Sequence, residues 1–350
     1  MDYGEMTDIN YSDMTMRKPV ILLLSVALLC ACSGRSYFPQ DVQSADVDII
    51  RFDSAMLALP ADSAEMTGSV AEMYAAYPEM MEMFAQDIIG VDMHDTASLC
   101  GALAKFLSDT IYGFAATNRF EQEVFADISD IRRELNSGFG RILWLYSDFV
   151  VPDIYLIVSG FNTSLFTWND MVVVGADMYL GSDYPYYNRV VYDYQKKTMR
   201  KECIPADVLS SCLFRYIPYT STQSRLLDNM LYRGKIMYLL SCLLPEEKPW
   251  EIMGYTKDEW RWCERNESAI WRLMLDKQDL FRTESTLLTS YLNDGPFTSE
   301  ISQDSPARLG TWIGWRIAEQ YMKHNEDVSL QQLMAEPDAQ KILELSHYKP

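Results

Sequence analysis

From Val20 the chain reads VILLLSVALLCAC to Cys32 and then turns polar at Ser33. A helix that crosses a bilayer needs roughly 20 apolar residues, because the hydrocarbon core is about 30 Å thick and a helix rises about 1.5 Å per residue. This run offers about a dozen. No later segment approaches a spanning length without interruption. The run itself reads either as a short buried helix or as an address label. Met16-Arg17-Lys18-Pro19 supplies a basic head and small or thiol residues close the run, which is the pattern of a secretory signal peptide.

Leu29-Cys30-Ala31-Cys32 resembles the bacterial lipobox, in which leucine and a small residue precede an obligatory cysteine. The resemblance implies cleavage before Cys32 and lipid attachment to its sulfur and amine. The acidic opening MDYGEMTDINYSDMT fits poorly ahead of a basic head, and a start at Met16 would explain it. Ser33, Gly34, Arg35 and Ser36 follow the cysteine. An aspartate there would mark inner-membrane retention, and an acidic cluster would mark surface display. The sequence instead points to the outer membrane, facing the periplasm. The expected organisation is a leader over 1–31, a lipidated tether over 32–48 and one globular domain over 49–350.

Apolar residues make up 48% of the chain and charged residues 23%, so a packed globule is expected rather than disorder. The formal charge is −20. Such a surface repels nucleic-acid phosphates, and no basic stripe with interleaved aromatics appears. It also repels anionic lipid, so the acyl chains must do the anchoring, and several chains hold far better than one. With Cys30 in the leader and Cys32 lipidated, Cys100, Cys203, Cys212, Cys242 and Cys263 remain. An odd set without C-x-x-C spacing reads as buried free thiols, not a disulfide scaffold.

The fold class expected is α+β, mostly helical, with a small sheet in the middle of the chain. Residues 49–52 read as a first strand. Helices are expected from about Ser54 to Asn118, where Met73, Tyr77, Met80 or Met81, and Phe84 recur at helical spacing with a break at Pro78. The methionines read as core filler. The helical pattern of RFEQEVFADISDIRRELNSGFG is expected to stop at Asn136-Ser137-Gly138. VPDIYLIVSG and DMVVVGADMYLG read as two strands, forming a hairpin across FNTSLFTWN. The chain is expected to return to helix after Gly181. A long apolar helix stops at Pro245, and Thr256-Lys257-Asp258-Glu259 forms a capping box for the next. Ser305-Pro306 reads as cap and first residue of a later helix. In that helix Gly310 and Gly314 share a face and imply close approach of a neighbour.

Catalytic motifs are scarce. His94, His324 and His347 are scattered and form no H-E-x-x-H; there is no G-x-S-x-G, P-loop or strand-borne G-x-G-x-x-G. No cofactor is expected. Asp92, His94 and Asp95 could ligate a metal but equally form a solvated loop. Asp177 and Asp183 around Gly181 could meet a hard cation, yet one loop supplies few oxygens. Tyr179, Tyr184, Tyr186 and Tyr187, with Trp168, could stack on a sugar or peptide, or belong to the core. Glu264 and Glu267 lie i,i+3 on one helix and read as a carboxylate pair or as a solvated acidic face.

DIIRFD, YLGSDYPYY, GKIMYLLSCLLPEEKPWEIMGYTKDEWRWCERNESAIW, LNDGPFTSEISQDSPARLGTWIGWRIAEQYMKHN and ILELSHYKP occur in this order over residues 47–350. Together they resemble the GldB-type gliding motility lipoproteins of the Bacteroidetes. The resemblance implies a membrane-anchored lipoprotein needed for gliding and linked to an associated secretion machine. With the catalytic motifs missing, the expected role is a non-enzymatic component with partner proteins in the envelope. The resemblance also implies a layout similar to bacterial zinc-peptidase-like domains, whose H-E-x-x-H helix would fall within ADVLSSCLFRYIPYTSTQSRLLDNM. No histidine stands there, and Arg233-Gly234 replaces an expected acidic residue before that glycine. The positions marked as ligand-cleft or signature residues are Asp177, Tyr179, Gly181, Asp183, Tyr186, Tyr187 and Arg308. The competing expectations are a degenerate hydrolase, if a cleft gathers Asp177, Asp183, Glu264 or Glu267, and a peptide- or glycan-binding module, if the tyrosines line a groove.

Overall fold

The computed structural model of the chain describes residues 36–108 and 114–350, with only the helical backbone of 114–116. The leader and Cys32 lie outside the described residues. Residues 36–40 belong to a unit of their own, in which Ser36 Oγ donates to the Phe38 carbonyl. The body begins at Asp41.

β1 (Ile49–Arg51) runs directly into α1 (Phe52–Leu57), followed by α2 (Ser63–Ala76), α3 (Pro78–Met83), α4 (Thr96–Ser108), α5 (Phe114–Val124) and α6 (Ser129–Leu145). The sheet is completed by β2 (Asp153–Ile157), β3 (Leu165–Trp168) and β4 (Met171–Gly175). Then come α7 (Ile204–Tyr216), α8 (Leu226–Leu243), α9 (Pro249–Met253), α10 (Lys257–Asp276), α11 (Ser285–Leu292), α12 (Leu309–His324), α13 (Leu330–Ala335) and α14 (Ala339–Ser346). This is a mostly helical α+β fold with a mixed four-stranded sheet.

The sheet order is β1-β2-β4-β3. β2 and β4 are not a hairpin with each other, as their sequences led one to expect; they pair in parallel, with Ile154 opposite Val172. The connecting segment supplies β3, which pairs antiparallel to β4 and forms one edge of the sheet, β1 being the other. Asn169 at φ +49° begins the two-residue turn between them, a conformation asparagine tolerates. β4 is buried along its whole length, as a central strand covered on both faces requires. On one face Tyr155, Ile157, Met171 and Val173 meet α1–α4, where Met66, Met80, Met81 and Met83 are buried as core. The intervening residues Ile154, Leu156, Val172 and Val174 are buried on the other.

α8 and α12 make the most extensive helix contact in the body. α8 is buried around most of its circumference, so it has no strongly polar face. Gly234 on α8 sits on the Gly314–Trp315 peptide, and Gly314 sits on the Met230 carbonyl; a Cβ at either position would overlap backbone. Gly310 allows the same approach by Tyr291 and Leu292 of α11. Trp260 of α10 seals the crossing by edge contacts to the rings of Trp312 and Trp315, at 6.0 and 5.4 Å. Both α12 tryptophans are buried.

Three helix boundaries differ from their sequence signals. α6 continues through Asn136-Ser137-Gly138 to Leu145. Gly138 there makes room for Leu209 of α7, and Gly140 lets the backbone of 43–45 lie against the helix. Residues 45–47, within the expected tether, are fixed to α6 by Ala45 N–H to the Asn136 carbonyl and by Arg132 to the Val47 carbonyl. Second, α12 starts at Leu309, not beside Ser305-Pro306. Ser305 is used in a buried turn, and Thr298 Oγ1 accepts from Leu309 N–H, capping the helix from a remote segment. Third, residues 181–203 form turns and short helical pieces before α7 begins. The Thr256 capping box is present, with Thr256 Oγ1 accepting from Glu259 N–H and Glu259 accepting from Thr256 N–H. Cys100, Cys203, Cys212, Cys242 and Cys263 are free thiols, all but Cys242 buried.

Gly314→Leu should overpack the helix crossing and lower stability by roughly 1–3 kcal/mol or more. Thermal unfolding of the whole protein checks this, and the melting temperature should fall well below the parent's. An unchanged melting temperature would mean that α8 and α12 do not meet at their glycines.

Candidate functional site

A cleft of about 390 Å³ opens between the start of β3, the 191–199 loop, α7, α9 and the segment before α12. α7 builds its floor. Val208, Leu209, Cys212 and Leu213 are buried, which turns Asp207, Ser210, Ser211 and Phe214 toward the opening at i, i+3, i+4 and i+7. Tyr179 reaches in from the turn after β4 and donates its hydroxyl to Asp207 Oδ2 at 2.9 Å. Burial pushes the Asp207 carboxyl up to about 6, against the lowering effect of the Tyr179 hydrogen bond and the Arg308 charge. The Tyr179 hydroxyl is itself held neutral, by burial and by the Asp207 charge.

Arg308 forms the opposite wall. Its backbone is left-handed at φ +62°, a conformation that costs a non-glycine residue about 1 kcal/mol or more. The turn is overdetermined by its neighbours: Tyr255 OH donates to the Ala307 carbonyl at 2.5 Å, and Thr298 bonds to the Pro306 carbonyl. The guanidinium donates to the Met253 carbonyl at 3.1 Å and lies 3.7 Å from Asp294. Lys197 is tied to Glu259 at 2.7 Å, with its ammonium 5.5 Å from the Tyr255 ring centre. The cleft is thus a mixed-charge cavity whose cations already have fixed partners.

Of the residues singled out in the sequence, Tyr179 and Arg308 line this cleft. Asp177 and Tyr187 lie behind it. The fully buried Asp177 carboxylate accepts from Ser159 N–H, Phe161 N–H and Ser159 Oγ, at 2.8, 2.6 and 3.2 Å. Tyr187 OH donates to the Asp177 carbonyl and accepts from Leu180 N–H, both at 2.9 Å. The two residues lock the turn that aims Tyr179. Gly181, at φ +115°, donates to the Met199 carbonyl and so draws in the 191–199 wall. Asp183 is exposed, and Tyr186 packs at a tilt on Phe161 outside the cleft, with ring centres 4.8 Å apart. Asp177 and Asp183 are therefore not a shared cation site. Glu264 and Glu267 do not act as a pair either: Glu264 accepts from Trp260 Nε1, while Glu267 accepts from Arg316 and Tyr348.

Asp207, Lys197, Glu251, Tyr255 and Asp294 were not legible as site residues. They come from four separate segments, Glu251 and Tyr255 sharing one, and only Asp207, a lone carboxylate in an apolar helix, carried a local signal. Asp207 and Ser211 stand four apart on the cleft face of α7, the spacing at which H-E-x-x-H presents its two histidines. A carboxylate and a hydroxyl do not fit zinc in that role, which prefers imidazole and thiolate. Among the described residues no group of three or more His, Cys, Asp or Glu side chains is placed to hold a metal. His94 sits on an exposed loop whose Asp92 and Asp95 bond to the local backbone, and His324 and His347 meet each other edge to face at 5.4 Å.

The model of the family described as gliding motility protein GldB matches residues 37–350. The chain belongs to the GldB gliding motility lipoprotein family. No curated protein and no solved structure matches it. Among the described residues no helix is long and apolar enough to cross a membrane.

A folded-state pKa near 6 means that the native protein holds the Asp207 proton more tightly than the unfolded chain does. Stability from this group is therefore greatest below about pH 4 and falls as pH rises toward 6. Asp207→Asn should remove up to about 3 kcal/mol of that decline, at about 1.4 kcal/mol per pH unit. Urea unfolding of parent and variant at pH 4 and pH 7 measures the difference; equal declines would contradict the assignment.

Proposed function

We propose that this GldB-family protein is anchored by lipid on Cys32, with residues 32–48 leading to a single domain over 49–350 that faces the periplasm from the outer membrane. There it serves as a non-enzymatic component of a gliding or secretion-associated envelope machine and contacts protein partners of that machine. The family match over residues 37–350 carries this reading. The character of the cleft supports it. Lys197, Arg308 and Asp207 are each held by a fixed neighbour, and oxygen donors stand on α7 where a zinc peptidase would carry histidines. Such a site recognises a ligand by shape and hydrogen bonds. The positions marked by family resemblance fit the same reading, with Tyr179 and Arg308 touching the ligand and Asp177, Gly181 and Tyr187 holding the frame. Asp183 and Tyr186 lie outside it.

The test is Cys32→Ala in cells fed an alkyne-labelled palmitate. The parent should take up label and remain with membranes after a high-salt wash; the variant should do neither. A variant that stays membrane-bound through the wash would overturn lipid anchoring. Affinity purification of the acylated parent after crosslinking should recover other envelope proteins, and recovery of none would overturn the machine-component reading.

A further inference from the structure

The chain reaches β1 along one face of α6. Arg132 donates to the Val47 carbonyl at 3.0 Å, and Asn136 Oδ1 accepts from Val47 N–H at 3.0 Å. The Asn136 carbonyl accepts from Ala45 N–H at 2.9 Å. One turn further along the helix, bare Gly140 carries the backbone of Gln43 and Ser44. Followed back from Val47 toward Asp41, the chain therefore runs from the middle of α6 toward its C-terminal end. Positions 136, 140 and 144 follow one another at i, i+4 and share a face. The next side chain on this track is Trp144, which is 49% exposed. Asp41, where the body begins, is exposed as well.

This end of α6 is held from three sides. Arg141 donates to the Ser137 hydroxyl at 2.9 Å and to the Leu243 carbonyl at 2.6 Å, which joins it to the end of α8. Gln331 of α13 donates to the Leu145 carbonyl at 3.4 Å. In the turn that follows, Phe149 N–H donates to the Tyr146 carbonyl, and both rings pack on Tyr216 at 5.1 Å. Leu145 and Phe149 are consumed by this packing, whereas Trp144 before the turn and Val150 after it, 77% exposed, are left outward. An indole has an apolar body and one N–H donor, which suits a boundary that is apolar on one side and wet on the other.

We propose that this end of the body, the last turn of α6 with the turn after it, rests on the lipid bilayer and seats Trp144 among the headgroups. The length of chain ahead of the body selects that occupant. Cys32 stands nine positions before Asp41, and nine extended residues reach at most about 32 Å. A body of about 300 residues is about 50 Å across. With its exit point at Asp41 held this close, the side bearing the end of α6 is kept toward the membrane, and the opposite side cannot turn to it. The acyl chains do the anchoring, so docking is intramolecular and a small apolar patch is enough to choose the orientation. Asp41 and Asp148 are exposed at this end, which favours zwitterionic over anionic headgroups. The proposal rests on the reading of Cys32 as the lipid site, and it adds which face meets the lipid.

The experiment uses the full acylated protein, its acyl mass established by mass spectrometry, in phosphatidylcholine vesicles whose acyl chains carry bromine just below the headgroups. Bromine quenches tryptophan fluorescence on contact. The parent should lose fluorescence relative to unbrominated vesicles, and Trp144→Phe should abolish that loss with an unchanged melting temperature. If Trp144→Phe does not fold, Val150→Glu at its exposed site should reduce the parent's quenching instead. About 20 glycine and serine residues inserted before Asp41 add about 25 Å of root-mean-square reach. A docked face keeps its quenching through that change. Quenching lost on lengthening would mean that Trp144 is merely held near the membrane, and overturns the proposal. An acylated protein indifferent to bromine, or quenched equally after the substitutions, overturns it too and leaves this face to some other occupant. A chain without acyl mass is a failure of the anchoring reading, and the tether argument falls with it; mass and fluorescence thus tell the two failures apart.

Discussion

The contact of Gly234 with Gly314 determines where most of the remaining structure can go. Two bare backbone surfaces meet there, and no side chain separates α8 from α12. This closeness brings Met230 and Leu231 against α12 and lets Trp260 cover Trp312 and Trp315 from the side. It also fixes the start of α12, and the start of α12 carries Arg308. Gly310 closes the same helix against α11, so both ends of its first turns are held. Packing of this kind tolerates little change, because interiors are as dense as organic crystals and cannot relax smoothly.

From that crossing the cleft follows as a consequence of position. α7 is seated against α6 through Leu209 and Gly138, which leaves the Asp207 face outward. β4 ends in a turn held by Asp177, and the next residue but one is Tyr179. The strained Arg308 backbone is kept in place by Tyr255 and Thr298. A helix and two hydrogen-bonded turns thus deliver Asp207, Tyr179 and Arg308, and local strain persists only because neighbours overdetermine it. A second internal tension lies in the buried carboxyl of Glu121. Its oxygens meet no donor among the described residues, and burial together with the adjoining Asp53 carboxyl pushes its pKa well above the usual carboxylate range. It is held as a neutral acid while Arg51 neutralises Asp53 at 2.7 Å.

Much of the fold was legible where local and tertiary signals agree. The helical spacing of Met73, Met80 and Phe84, the Thr256 capping box and the Gly310–Gly314 pair all read correctly, because each is a short-range pattern with one physical cause. The misreadings share another origin. Gly138 resembled a helix stop, but Leu209, 71 positions further along the chain, made it a packing site. Ser305-Pro306 resembled a cap, but Thr298 took the capping role. The β2 and β4 strings were recognised as strands, yet their parallel pairing depends on β3 occupying the outer position, which no local pattern encodes. The site was the least legible part. Asp177 stood out as a carboxylate near Gly181 and Tyr187 as one of a tyrosine cluster; they proved to be supports, while Asp207, Lys197 and Tyr255 converge only in three dimensions.

A dense glycine crossing therefore holds the cleft in place, and β3, which lines it at Leu165, is an edge strand of the sheet. Native-state hydrogen exchange of the full protein measures both halves of that statement at single amides. Amides of α8 and α12 around Gly234 and Gly314 should exchange only through global unfolding, and Phe166 should be protected by its bond to β4. Leu165 and Thr167 should exchange faster than Phe166 by orders of magnitude, since among the described residues no group accepts from their N–H. Equal protection at Leu165, Phe166 and Thr167 would mean that the edge is covered within the chain, and rapid exchange at the two glycines would mean that the crossing is not the rigid element on which the cleft depends.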